Sequence, residues 1–529
     1  MAKCGRRGWT VARWAALGWG LLPACQPKIV DFQARPIGDP GEPCPADPSW
    51  LPNTLAPDPA MPAPHPLTEC PFYQAGFTYF LMATQPGPSG EPALASCATP
   101  DDLFKPSRPL PDGALADPGT HRGTPLRAWL GDVRQPASGA GPGPILVDRD
   151  HRPLYYGTHI SQTFVAFAAG NGLDTAAGIQ AASPTLSLPA GLVVARSAWK
   201  DIDPGDGVVF DSSRYITTLA WVPTLHQDPG TGAISVDRDH PRQIRVALVA
   251  LDMAFTLRGH PEMIWTSFEH RDESGASDLA PNLPQDPGAS GLSRLGMTAA
   301  VAPRDTLLYR AGTPASQANQ SLADAALLLD DSAQSLTPDT PVYRAFPASH
   351  SNTNDESEAL HSLNQSVADL FQAQASQLDP ADHRRWYRLV GGIWMDKPGF
   401  FSLDASLQND ESSPFVTGPH VDESGLPADP VPPAEFMASL AADGTDSPYS
   451  ILGGCDRLSS TAIESFTQGP GSMNNCFACH NTQAVSLQGI PLGRDNAGGA
   501  ALLPPKLINV SRIFAGFLLD ECAAGAACP

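Results

Sequence analysis

Apolar residues recur at helical spacing in two parts of the chain, and both parts are predicted to form helices that pack on a core. The first helix begins at Cys70, where Pro71 suits the first turn. The second runs from Glu356 to Leu378 and carries one apolar stripe. The residues that define these helices are Phe72, Phe77, Phe80 and Leu81 in the first, and Leu360, Leu363, Val367, Leu370 and Phe371 in the second.

Residues 143–275 are instead rich in β-branched and aromatic residues, and Asp-Pro-Gly and Asp-Gly turn signals divide them into short runs. This pattern is typical of an antiparallel sheet or sandwich. A further strand is expected from Trp386 to Trp394. The strands predicted within the β-rich part are Leu192–Trp199, Val208–Phe210, Tyr215–Trp221, Ile244–Phe255 and Met263–Phe268.

Together these elements predict an α+β fold with a large domain over residues 70–452 and a β-rich core at about 143–275. Residues 453–529 would form a small helical segment packed on that domain. A capping box at Thr461–Glu464 indicates a short helix over Ala462–Phe466. The 56 Pro and 47 Gly among 529 residues argue against a long-helix protein, because Pro breaks helix interiors and Gly weakens them.

Charge narrows the range of partners. The chain has 33 basic and 55 acidic residues, which gives a formal net charge of −22. Such a field repels phosphate backbones, so we expect no binding to nucleic acid. An acidic surface suits a basic partner protein, and it also serves the solubility of exported proteins.

The first 25 residues have the pattern of a secretory signal peptide: a basic start followed by an apolar run from Trp14 to Leu22. That run is shorter than the roughly 20 residues a membrane span needs. It ends in Leu-Leu-Pro-Ala-Cys, which resembles the bacterial lipobox and makes Cys25 the predicted lipidation site. The proline fits the lipobox imperfectly, so ordinary cleavage nearby is the alternative. We therefore expect a bacterial periplasmic protein, anchored by lipid to the membrane, with the outer membrane favoured.

Residues 26–69 hold 12 prolines and little apolar periodicity, which predicts a semi-rigid tether behind the anchor. The alternative is an irregular coil laid over a domain, where Cys44 would pin it. Six cysteines are available for disulfide bonds in an exported chain. They form an N-terminal group and a C-terminal group, so full pairing needs a bridge between the groups. The six are Cys44, Cys70, Cys97, Cys455, Cys522 and Cys528.

The most specific motif is Cys-Phe-Ala-Cys-His at residues 476–480. The spacing Cys-x-x-Cys-His predicts covalent attachment of one c-type haem. Cys476 and Cys479 would form thioethers with the two vinyl groups, and His480 would supply the proximal nitrogen to the iron. Two alternatives remain for these residues. One is a thioredoxin-like redox pair, although no βαβ pattern surrounds the motif; the other is a zinc site with Cys455, Cys522 or Cys528.

The distal ligand of such a haem is not evident, because the 49 residues after His480 contain neither Met nor His. It would come from the upstream domain, or from an unusual group such as Lys506, or the iron would be five-coordinate. Two strong axial ligands suit electron transfer, whereas an open site permits gas binding or peroxide chemistry. The upstream candidates are Met395, Met437, Met473, His350, His361, His383 and His420.

Several short segments resemble a group of large exported bacterial cytochrome c family proteins with a single C-terminal haem motif. After Ile264–His270 that group usually has a Val-Asp-Asn-like sequence, whereas this chain has Arg271-Asp272-Glu273. The resemblance implies haem binding and brings no established substrate. The segments that carry it are Pro71-Phe72-Tyr73 with Phe80-Leu81, Pro189–Gly191 with Ala198-Trp199-Lys200, Ile264–His270, Trp386–Gly391, and Glu464–Gln468 before the haem motif.

The sequence thus predicts a periplasmic monohaem c-type cytochrome that carries single electrons to or from an unidentified redox protein. One alternative is a periplasmic oxidoreductase whose β-rich domain holds a substrate and uses the haem as its electron outlet. Some 400 residues, more than an electron carrier needs, favour that alternative. A third hypothesis is a haem-based sensor with an open iron. Whether the protein is an enzyme stays open at this point.

Overall fold

The computed structural model shows an α+β protein built around one large, mostly antiparallel sheet. No helix among the described residues is long and apolar enough to cross a membrane. The predicted signal peptide, Cys25 and Cys479 lie outside those residues. The structure describes residues 43–52, 54–55, 57, 69–87, 90–104, 128–135, 143–203, 210–258, 260–282, 302–344, 358–395, 452–454, 458, 460–467, 476, 480, 482, 484–487 and 501–523.

The main sheet has eight strands in its described part, and a single long strand organises it. This strand is β5 (Ile234–Leu257). Its first half pairs with β4 (Thr217–Gln227), and its second half pairs with β3 (Val193–Asp201) on one side and β6 (His260–His270) on the other. All neighbours are antiparallel except β1 and β4. The eight strands are β1 (Ala128–Trp129), β2 (Leu154–Ile160), β3 (Val193–Asp201), β4 (Thr217–Gln227), β5 (Ile234–Leu257), β6 (His260–His270), β9 (Tyr387–Met395) and β10 (Leu452–Gly454).

Four short strands form two further ladders, and six α-helices surround the sheet in the described residues. The ladders are β7 (Leu328–Asp330) with β8 (Ser335–Thr337), and β11 (Val485–Ser486) with β12 (Ala501–Leu503). The helices are α1 (Cys70–Ala83), α2 (Pro100–Phe104), α3 (Gln162–Gly170), α4 (Ala176–Ala181), α5 (Glu358–Ala373) and α6 (Arg512–Ala523).

Helices α1 and α5 cover one face of the sheet and confirm the two helices predicted from apolar spacing. Phe72 of α1 stacks on Trp394 with ring centroids 4.4 Å apart, and Phe80 stacks on Phe268 at the same distance. The helix approaches the sheet closely at Gly76, where a Cβ would lie 2.6 Å from Cγ2 of Thr266. The apolar stripe of α5 is buried in the same core.

The chain before α1 is fixed to this layer. A disulfide joins Cys44 to Cys70, and the backbone N–H groups of Cys44 and Ala46 donate to the hydroxyls of Ser362 and Ser366 on α5. Residues 43–52 therefore lie on the domain as a pinned coil, and for them the prediction of a free tether is wrong. Cys97 is also disulfide-bonded, and because Cys44 and Cys70 pair with each other, its partner lies outside the N-terminal group.

Four details of the sequence prediction differ from the structure. The helix expected over Ala462–Phe466 is a turn followed by a 3-10 helix at Ser465–Thr467. The C-terminal segment combines short strands with helix α6, and β10 joins the main sheet, so that segment is not simply helical. The sheet also extends beyond residues 143–275, since β9 and β10 form its far edge. Of the strand predicted at Val208–Phe210, only Phe210 is described, and it is not in a strand.

Candidate functional site

The opposite face of the sheet is covered by the C-terminal segment, and buried polar contacts fix the two together. The carboxylate of Glu269 on β6 accepts hydrogen bonds from the backbone N–H and the hydroxyl of Thr461, at 2.9 and 2.7 Å. Its other oxygen pairs with Arg344. Gln135 and the hydroxyl of Tyr156 both donate to the carbonyl of Ala462. These contacts place residues 460–467 directly over the sheet.

Between the sheet and this segment lies a cavity of about 420 Å³. Its volume falls in the range of roughly 300–1,000 Å³ that is typical of cofactor and small-molecule sites. Phe104 and Phe517 stack with ring centroids 4.0 Å apart and both line it. Its wall is apolar over most of its area but carries several charged side chains, which are Asp132, Arg196, Arg238, Asp252, Glu464, Arg512 and Asp520.

The floor of the cavity follows from strand register. Side chains at directly paired positions of neighbouring strands share a face. On the face that bears the cavity, one row of paired side chains across β2, β3, β5 and β6 is polar. The neighbouring row, two residues away along each strand, is mostly apolar. The polar row is Thr158, Arg196, Asp252 and Ser267, and the apolar row is Ile160, Val194, Ala254 and Trp265. Every member of both rows except Ile160 lines the cavity.

Cys476 and His480 also line the cavity. The backbone N–H of His480 donates to the carbonyl of Cys476 at 2.8 Å, the spacing of one helical turn, which places both residues beside the cavity. Cys476 is a half-buried thiol. Cys479 lies outside the described residues, so the structure shows two of the three predicted haem-binding residues and brings both to one cavity.

The imidazole of His480 is oriented by its neighbours. Its Nδ1 lies 3.0 Å from the carbonyl of Val510, which leaves Nε2 as the nitrogen available to a metal. Trp265 packs against the ring, with centroids 4.1 Å apart. Burial, with the nearby charge of Arg512, lowers the pKa of His480 to about 3, so the ring is neutral at neutral pH. A neutral imidazole with one nitrogen anchored to a carbonyl is the form that ligates metals in proteins.

Two of the carboxyl groups in the wall have raised pKa values. Burial raises the pKa of Asp252, and the nearby Glu464 raises it further. Burial also raises the pKa of Glu464 to about 7. Arg196 lies beside Asp252 in the polar row and donates to Asp132 at 3.4 Å and to the carbonyl of Arg134 at 3.1 Å. The cavity therefore places one cation, Arg196, near two carboxyls, one from the sheet and one from the covering segment.

No family model, curated protein or solved structure matches the chain. What the cavity can bind must therefore follow from its own residues.

These residues fit a c-type haem. The cavity presents a thiol and an oriented imidazole beside a largely apolar wall, and arginines in the same wall suit the two carboxylate side chains of a haem. Two buried donors in the wall, Nε of Arg196 and Nε1 of Trp265, have no hydrogen-bond partner among the described residues. Such groups are rare in a finished interior and are consistent with a wall shaped for a ligand.

The structure bears differently on the zinc site and the redox pair, the two alternatives for the motif. Cys522, one of the proposed zinc ligands, is disulfide-bonded and cannot ligate zinc as a thiolate. Within the described ranges, no three His, Cys, Asp or Glu side chains are grouped so that they could hold a metal ion. Cys476 is a thiol in the structure, which is the state that haem attachment requires and also the reduced state of a redox pair.

The structure also places several candidates for the distal ligand. Lys506 donates to the carbonyls of Ile179, Gln180 and Ala182 at 2.6–2.9 Å, and it does not line the cavity, so it is not the ligand. His361 lies on α5 and His383 in a 3-10 helix before β9, and neither lines the cavity. The side chain of Met395 and all of His350, His420, Met437 and Met473 lie outside the described parts of the chain.

Sequence reasoning missed Met263, which is buried and lines the same cavity as His480. It lies in β6, two residues before Trp265, and its backbone has a φ of 72°. A non-glycine residue in this left-handed region is strained, and such strain persists where the surrounding structure holds it. Its place within a predicted strand concealed it, since an apolar residue there is expected to fill the core.

Filling the cavity from α6 is expected to exclude a haem-sized ligand. No described atom outside its own helix lies within 4 Å of a Cβ built on Gly516, which lines the cavity. We expect Gly516→Phe to reduce haem per protein to a small fraction of the wild-type value, because overpacked sites expel other groups. Absorbance of the purified protein measures this ratio.

Gly170→Phe is the matched control, since Gly170 is an exposed helical glycine with equally open surroundings. It is expected to retain the full haem content. Equal haem in both variants would show that the cavity is not the haem site.

Proposed function

We propose that the protein is an exported one-electron carrier with one covalently attached c-type haem. Cys476 and Cys479 would hold the haem by thioether bonds, and Nε2 of His480 would ligate the iron. The observation that carries this proposal is that Cys476 and His480 open onto the same 420 Å³ cavity, with Nδ1 of His480 already anchored to the carbonyl of Val510.

When bound, the haem would supply a metal centre that accepts and releases single electrons. The residues of this chain would orient the iron ligand and surround the haem. Val510 fixes the ring plane and tautomer of His480, and Trp265 packs against its side. The apolar side chains of the sheet floor and of helix α6, such as Ala254 and Phe517, would pack against the haem. Arg196 and Arg512 would offset the charge of the haem carboxylates.

The distal position is proposed for Met263. A thioether is a common partner of histidine in electron-transfer haems and raises their potential. Met263 is the methionine that lines the cavity within the described residues. A six-coordinate iron would make the protein an electron carrier, whereas a five-coordinate iron would favour the oxidoreductase or sensor alternatives.

Carbon monoxide binding to the reduced protein tests this assignment. We expect the wild-type spectrum to be unchanged by carbon monoxide and Met263→Leu to bind it, because leucine fills similar space but cannot ligate iron. Met253→Leu is the matched control, since Met253 is equally buried but packs in the core on the opposite face of the sheet. A carbon monoxide shift in the wild type would contradict the carrier function.

Location and partner belong to the same proposal. The signal-like first 25 residues and the lipobox-like Cys25 suit a periplasmic protein anchored by lipid, with the outer membrane favoured. The net charge of −22 suits a basic redox partner and disfavours nucleic acid.

A further inference from the structure

The floor of the cavity holds a carboxyl group that an electron-transfer protein has no structural need to place there. Asp252 lies on β5 in the polar row of the sheet and lines the cavity. The hydroxyl of Ser267 on the neighbouring strand donates to its Oδ1 at 2.7 Å. Arg196 lies at the paired position on the other side. Asp252 is therefore held by a hydrogen bond from β6 and has an arginine beside it on β3.

A second carboxyl group reaches the same place from the covering segment. Glu464 follows the residues that Glu269 and Gln135 fix to the sheet, and it accepts a hydrogen bond from the N–H of Ser460 at 3.2 Å. It lines the cavity, and its charge raises the pKa of Asp252. Desolvation raises the pKa of Glu464 as well, and two half-buried carboxyls at one site favour a state in which they carry one proton between them.

Other charges around the pair do not cancel this effect. Glu269 is neutralised by Arg344, and Arg196 is shared with Asp132 across 3.4 Å. His480 is held neutral by burial. The charged and titratable groups that face the pair or share its cavity are Arg196 on β3, Tyr156 on β2, Asp132, Arg238, Glu269 on β6, Cys476, His480, and Arg512 and Asp520 on α6.

From this geometry we infer that Asp252 and Glu464 form a proton-holding site, so that the protein takes up one proton with each electron. The inference rests on the proposed haem function. A one-electron donor protein would lose an electron to the bound haem, and a carboxylate of the pair would take up a proton from the solvent to become a carboxylic acid. Oxidation reverses both transfers, so charge in the cavity is unchanged over the cycle.

The direction of the resulting pH dependence follows from charge. An added electron makes the cavity more negative, which favours the protonated form of the pair and raises its pKa in the reduced protein. Because the pKa of Glu464 is about 7 in the protein without added charge, the pair titrates near neutral pH. The midpoint potential should therefore fall as pH rises. The equilibrium constant for reduction should fall by up to tenfold per pH unit, which corresponds to about 59 mV.

Redox titration of the full-length holoprotein between about pH 5 and 8 tests the inference. We expect a sloping potential in the wild type and a nearly flat one in Asp252→Asn and Glu464→Gln. Glu273→Gln is the matched control, because Glu273 is an exposed carboxylate on a turn after β6. It should keep the wild-type slope. The inference would be overturned if both cavity variants kept the wild-type slope, or if the control lost the slope to the same extent as they did.

A milder variant tests the same site even if the carboxyl substitutions prevent folding. Ser267→Ala keeps both carboxyls but removes the hydrogen bond that stabilises ionised Asp252, so the sloping region should move to higher pH. Infrared difference spectra between the reduced and oxidised protein should show a carboxylic acid band that Asp252→Asn or Glu464→Gln removes. An unshifted slope in Ser267→Ala, or the absence of the band, would count against the pair.

Haem content of the same samples separates the two proposals. A normal haem spectrum with a flat wild-type potential would overturn the proton site and leave the carrier function standing. Absence of haem in the wild type would overturn both.

Discussion

Replacing Cys476 and Cys479 by serine together is expected to leave the protein without covalently attached haem. Each thioether needs a thiol, and serine hydroxyls do not add to vinyl groups under the same conditions. Cys476 lines the same cavity as His480, so its loss removes one of the two proposed attachment points. Haem staining of denatured protein measures the loss, which we expect to be complete.

The matched control removes two cysteines of a different kind. Replacing Cys44 and Cys70 by serine opens a disulfide that joins residues separated by 26 positions in the sequence. Loop-closure entropy predicts a loss of about 3–4 kcal/mol of stability. Haem should remain attached. Covalent haem in the Cys476/Cys479 double variant would contradict the assigned attachment site.

Glu269→Gln is expected to cost about 3–5 kcal/mol of unfolding free energy, since breaking a buried ion pair strands the other charge. Glu269 is fully buried and pairs with Arg344 while it binds Thr461 of the covering segment. The substitution would therefore loosen the segment that carries the haem motif. Urea unfolding measures the cost. Glu273→Gln, at the exposed pair with Arg214, should change stability little.

The stabilisation from Glu269 should also depend on pH. Burial alone would raise its pKa, but Arg344 and the hydrogen bonds from Thr461 outweigh burial and lower the pKa below the ordinary 4.5. A carboxyl with a depressed pKa stabilises the fold above its unfolded value, and the stabilisation is lost as pH falls through the folded value. The difference between wild type and Glu269→Gln should therefore shrink in acid. A constant difference would contradict the ion-pair explanation.

Local pattern was enough to predict the two core helices and the main strands. The helical spacing of Phe72 and its neighbours is a pattern of residues close together in the chain, and so are the turn-divided runs of 143–275. The geometry of His480 is partly local as well, since one helical turn links it to Cys476. Fold class therefore followed from the sequence.

The floor of the cavity could not be predicted in the same way, because strand register brings distant residues together. Arg196, Asp252 and Ser267 come from three strands, and no local spacing relates them. A weak signal existed: Asp252 and Ser267 interrupt apolar runs that would otherwise be continuous. Lys506 was a reasonable ligand candidate by proximity to the motif, but three carbonyls of the α4 region hold it.

The most direct test of the central claim is the intact mass of the full-length protein, made in a host that matures c-type cytochromes and measured under denaturing conditions. The proposal predicts the mass of the processed chain plus one haem, since thioether bonds survive unfolding. A mass that corresponds to the polypeptide alone would contradict it, and the cavity beside His480 would then serve another ligand.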